Sequence, residues 1–81
     1  MMTALQFVTQ FRDVHVRCVG REDDLFWASV DVDEDGTELQ SYFIMERGNE
    51  LRVIHGLSAV EEIEASTKPL KFWDHERAEQ G

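Results

Sequence analysis

The stretch LFWASVDVDEDGTELQSYFIME, residues 25–46, decides how this chain reads. Asp35-Gly36 is a dipeptide that tolerates positive φ at both central positions of a tight turn. It is flanked on both sides by residues rich in β-branched and aromatic side chains, so the stretch predicts a β-hairpin. A two-residue turn there sets Val32 opposite Leu39, Val30 opposite Ser41, Ala28 opposite Phe43 and Phe26 opposite Met45, which makes one apolar face. The same register puts Asp31, Ser29, Trp27 and Leu25 opposite Gln40, Tyr42, Ile44 and Glu46 on the other. A three-residue loop slips the pairing by one and sets Val32 against Glu38, so a loop of even length is expected.

Working outward, Val14–Val19 alternates, with Val14, Val16 and Cys18 on one face and His15, Arg17 and Val19 on the other. This predicts a strand beside the first arm of the hairpin, joined to it through the polar turn at residues 20–24. After the hairpin, Arg47-Gly48-Asn49 is a second turn signal and residues 51–56 form the next strand. A three-residue loop with Asn49 left-handed sets Met45 against Leu51, Phe43 against Val53 and Ser41 against His55. Ahead of the sheet, Ala4, Phe7, Val8 and Phe11 have the spacing of one helical face, and Thr3 with Gln6 fits a capping box; a helix is expected over residues 3–12, with a strand as the competing reading. Behind it, Ser58 and Glu61 suggest another capping box, followed by a helix to about Ser66 with Val60 and Ile63 inward. Thr67-Lys68-Pro69 ends that helix. The expected architecture is α+β: a single 81-residue domain, a four-stranded antiparallel meander with a short helix at each end packed on one face, and residues 74–81 as a frayed tail.

That layout leaves Val19, Leu25, Trp27, Tyr42, Ile44 and Ile54 on the second face among Arg17, Ser29 and Arg52. The face is too apolar to stand in water. Two covers are open: the chain's own Leu70, Phe72 and Trp73, or a partner or second copy for which Trp27, Tyr42, Ile44 and Ile54 are the contact residues.

Size and charge limit the function. A chain of this length buries roughly 60–65% of its unfolded surface, which favours binding over an extended catalytic cleft. The formal net charge is −9 and the one cysteine cannot form an internal disulfide. No basic leader or long apolar run occurs, so a cytoplasmic protein without a membrane span is expected. The charge opposes direct binding to nucleic acid or anionic membrane, because each phosphate contact needs a Lys or Arg. No Lys or Arg lies between Arg21 and Arg47, whereas Glu22, Asp23, Asp24, Asp31, Asp33, Glu34, Asp35 and Glu38 do. Those eight carboxylates are the expected contacts for a protein with a basic surface.

No set of residues points to catalysis or to a cofactor. Asp31-Val-Asp33-Glu-Asp35-Gly36 matches the first half of a calcium loop, but the closing bidentate Glu is replaced by Tyr42 and the flanks read as strands, so no metal site is expected. His15 and Cys18 point to opposite faces, and no zinc-ligand spacing is present; Cys18 reads as a small buried residue. Ser41 and His55, paired across strands, read as a structural hydrogen bond, since no carboxylate orients the imidazole. Glu61 and Glu62 read as residues that stabilise a helix N-terminus. By size and acidity the chain is similar to the small inhibitors that viruses and mobile elements direct at basic, nucleic-acid-handling machinery. The likeness implies a non-enzymatic inhibitor or regulator, of the anti-CRISPR or anti-restriction kind, whose carboxylates mimic DNA or RNA phosphates. The alternative is a self-associating homodimer whose charge serves solubility.

Overall fold

The computed structural model describes residues 2–33, 36, 38–66 and 73. Helix α1 spans Ala4–Thr9 and starts where the sequence places it: the Thr3 hydroxyl accepts from the Gln6 N–H and the Gln6 side chain accepts from the Thr3 N–H. Strands β1 (Asp13–Glu22), β2 (Leu25–Asp33), β3 (Leu39–Arg47) and β4 (Glu50–His55) follow, then α2 (Leu57–Glu64). The sheet is an antiparallel meander in the order β1-β2-β3-β4, as expected, with a helix at each end of the chain.

The register differs from the expected one in both hairpins. Asp33 pairs with Leu39, so residues 34–38 make an odd connection; Val32 faces Gln40, Val30 faces Tyr42, Ala28 faces Ile44 and Trp27 faces Met45. Gly36 has φ +83°, but Asp35 lies outside the described residues and with it the expected Asp35-Gly36 turn. In the second hairpin Arg47 pairs with Glu50 across Gly48-Asn49, a two-residue loop in which Gly48, not Asn49, takes positive φ. Met45 therefore faces Arg52, and Phe43 faces Ile54.

One residue of slip moves every side chain to the other face. The consequence is a sheet that is apolar on both sides, and this corrects the placement of the helices on one face. Leu25, Phe43 and Met45 pack with Val60 and Ile63 of α2 and with Trp73, and Trp27 and Ile54 lie against them. Val30, Val32 and Ile44, on alternate positions of the same strands, pack with Ala4, Phe7, Val8 and Phe11 on the α1 side. The helices lie on opposite faces because β2 and β3 carry large apolar residues at both parities, and each set needs a cover. Val60 and Ile63 point inward as expected, but Ser58 sits inside α2, whose N-cap is Gly56 without a side-chain cap, so the second capping box does not form.

In β1 the pairing shifts between Val16, opposite Val30, and Cys18, opposite Ser29. Arg17 is the extra residue of a β-bulge, and beyond it the alternation inverts. Val19 thus joins Val14 and Val16 on the α1 side instead of opposing them. Cys18, expected to be buried beside Val14 and Val16, is exposed: the bulge moves it to the α2 side, opposite Ser29, on an edge strand.

Candidate protein-binding surfaces

The acidic residues between Glu22 and Glu38 do not form one surface. Glu22 and Asp23 are exposed at the β1–β2 turn, where Asp23 has φ +53°, and Asp24 beside them pairs with Arg47 at 3.0 Å. Asp33 and the exposed Glu38 lie at the other end of β2, roughly 26 Å away at strand rise. Glu34 and Asp35 lie outside the described residues. Asp13 stands directly opposite Asp33 across β1 and β2, two carboxylates at one sheet end.

Asp31 belongs to neither group. Its Oδ1 accepts from the Ser41 hydroxyl at 2.6 Å and its Oδ2 from Arg17 Nη1 at 3.1 Å. Arg17 also donates from Nε and Nη2 to the two carboxylate oxygens of Glu64, at 3.0 and 2.9 Å, and Glu64 accepts from the buried Ser29 hydroxyl at 2.7 Å. A continuous chain, Ser29–Glu64–Arg17–Asp31–Ser41, therefore ties the bulge of β1 to α2 and β3. The hydrogen bonds from Arg17, aided by the one from Ser29, hold the Glu64 carboxyl below its usual range, and the two carboxylates keep Arg17 above its own. This chain is what the sequence reading missed; its partners are far apart in sequence and no local pattern announces them. It also replaces the expected Ser41–His55 bond: His55 pairs with Tyr42, stacks on its ring at 4.5 Å and bonds the Gln40 side chain at 2.8 Å.

The expected apolar contact residues are likewise divided. Trp27 stacks on Phe43 and Ile54 packs beside it, both on the α2 face; Tyr42 meets Phe7 and Phe11 on the α1 face, and Ile44 is fully buried there. No single surface holds all four. Of the chain's own candidate covers, Trp73 lies on the α2 face, 3% exposed, with the Arg52 guanidinium 3.8 Å over its ring and Arg52 donating to its carbonyl. Leu70 and Phe72 lie outside the described residues.

The α1 face is incompletely covered. The six-residue α1 is anchored by the Ala4 N–H donating to Glu46 at 2.6 Å; Val14 of β1 packs in its cluster, but Val16 and Val19 stay exposed. Between α1 and β1 runs an open groove of about 450 Å³ walled by Leu5, Val8, Val14, Val16, Val19 and Ala28. Val16 is 65% exposed, Val19 57% and Leu5 71%. Among the described residues no group of His, Cys, Asp and Glu is arranged to hold a metal ion, and no helix is long and apolar enough to cross a membrane. Comparison with protein-family models, with curated proteins and with solved structures finds no match.

Proposed function

We propose that this chain is a non-enzymatic acidic binding module that acts in the cytoplasm, inhibiting or regulating a protein whose basic surface handles nucleic acid. The observation that carries the reading is the pairing of Asp13 with Asp33. Like charges placed directly opposite on neighbouring strands cost stability, and Glu38 adds a third carboxylate near the same sheet end. A basic partner groove turns that cost into affinity, with the carboxylates standing where phosphates would. Asp31 is no part of such a row, because Arg17 and Ser41 already occupy its oxygens. The same closed chain of hydrogen bonds supports the non-enzymatic reading: its arginine, carboxylates and hydroxyls are directed at one another rather than at a substrate.

The test is affinity capture from a lysate at low and high salt, with the intact chain and with the double variant Asp13→Lys, Glu38→Lys. Both positions are exposed, and because Asp13→Lys turns a like-charge pair with Asp33 into an opposite-charge one, the variant should fold as well as the intact chain or be more stable by up to about 1 kcal/mol. The expected result is a basic protein retained at low salt, released at high salt, displaced by DNA or RNA, and lost to the variant. Capture of an acidic protein, or retention indifferent to salt and to the reversals, overturns the reading.

A further inference from the structure

Resting on that reading, we propose that β1 is the docking strand: an extended partner segment that alternates apolar and basic side chains adds to its outer edge and lays its apolar side chains in the α1-face groove. Strand addition draws on an edge whose backbone is paired on one side only, with pockets for alternate side chains giving specificity. β1 has both. It is an edge of the sheet and ten residues long, against six for the other edge strand, β4. Its Val14, Val16 and Val19 line the groove directly.

The bulge makes this possible. Without it Val19 would point to the α2 face; with it, Val16 and Val19 stand on one side, more than half exposed, while Arg17 is drawn to the other side by Glu64 and Asp31. An incoming strand pairs on either side of the bulge and meets a row of valines.

The occupant follows from composition and charge. Of the chain's own candidate covers, Trp73 is committed to the α2 face, and DHERAEQG (74–81) carries no apolar side chain larger than Ala78. A second copy is opposed by charge. The antiparallel pairing of two full β1 strands that keeps the valines on one face sets Val16 against Val19 and Val14 against Arg21, and it sets Asp13 against Glu22 twice, between molecules that each carry −9. Those same two residues define the favoured partner. Asp13 and Glu22 sit at the two ends of β1 on the side away from the groove, and neither makes an ion pair with another described residue. A segment with Lys or Arg on that side and apolar side chains on the groove side satisfies both.

Three ten-residue peptides test this against the intact chain: lysine alternating with valine, glutamate alternating with valine, and lysine alternating with serine. Binding is followed by titration and by amide hydrogen exchange. The lysine–valine peptide is expected to bind and to slow exchange in β1, while the other two and the variant Val16→Ser, Val19→Ser each weaken binding about tenfold or more. Leu39→Ser, at an exposed leucine outside the groove, is the control and leaves binding unchanged. Equal binding of the lysine–valine and lysine–serine peptides overturns the docking strand but leaves the acidic-module reading standing. Equal binding of the glutamate peptide overturns both. Protection at β4 in place of β1, or a dimer in sedimentation that the valine substitutions dissociate, also overturns the proposal, the latter in favour of a second copy.

Discussion

On the α2 face, Leu25, Phe43 and Met45 are all but inaccessible beneath Val60, Ile63 and Trp73; on the α1 face the alternate residues of the same strands, Val30, Val32 and Ile44, are as deeply buried, but Val16 and Val19 of β1 stay more than half exposed. The difference lies in the covers. α2 and Trp73 approach from the β3–β4 side, and the Arg17–Glu64 pair carries the closure on to β1. α1 is about one and a half turns long, and its Phe7, with Phe11 just after it, gathers on Tyr42 of β3 rather than on β1. A two-sided sheet needs two covers of its own width; α2 and Trp73 bury the middle strands on one face, and β1 stays largely exposed on both.

If the α2 face is the main source of stability, substitution at its centre should have the largest effect. Phe43 is 1% exposed, stacks on Trp27 and touches the cluster that holds Trp73. Phe43→Ala is expected to cost about 3–5 kcal/mol in urea or thermal unfolding, a large share of what a domain of this size has. A loss below about 1 kcal/mol would mean that the closed face is not the keel of the fold.

The next effect is one of pH and tests the polar closure of that face. The Glu64 carboxyl is held below its ordinary range by Arg17, so its contribution is fully present above the unfolded carboxylate value, about 4.3, and is lost as pH falls through the lower folded value. The intact chain should therefore lose stability on acidification beyond what Glu64→Gln loses. The difference between their unfolding midpoints should be constant near neutrality and shrink in acid. Parallel profiles at all pH would show that the pair adds nothing.

How much of this was legible follows from which signals are local. The Thr3–Gln6 box, the inward Val60 and Ile63 and the order of elements rest on residues a few positions apart, and they read correctly. Register does not rest on such signals. Val30 and Val32 against Leu25 and Trp27, and Ile44 against Phe43 and Met45, offer apolar residues at both parities, so alternation is satisfied by either register and one-sided burial chose the wrong one. The Arg17 bulge had no signal at all, since its reason is the distant Glu64. With register and bulge misread, the candidate site was misread too: Asp31 counted as an exposed carboxylate, and the apolar contact residues were gathered onto one face that they do not share.

The smallest expected effect is the sharpest test of the comparison, because it makes one substitution on one face at two depths. Val32 and Val19 both belong to the α1 face, but Val32 is fully buried under α1 and Val19 stands in the open groove. Valine to threonine keeps the β-branched shape and swaps a methyl for a hydroxyl. At Val32 that hydroxyl enters an apolar cluster, and the desolvation should cost about 1–3 kcal/mol. At Val19 it meets solvent, and the change should be within about 0.5 kcal/mol of zero. Equal losses at the two sites, measured by urea unfolding, would mean that something covers Val19 in solution and that the groove is already filled. A neutral Val19→Thr beside a costly Val32→Thr would leave β1 open, which is the condition any docking partner requires.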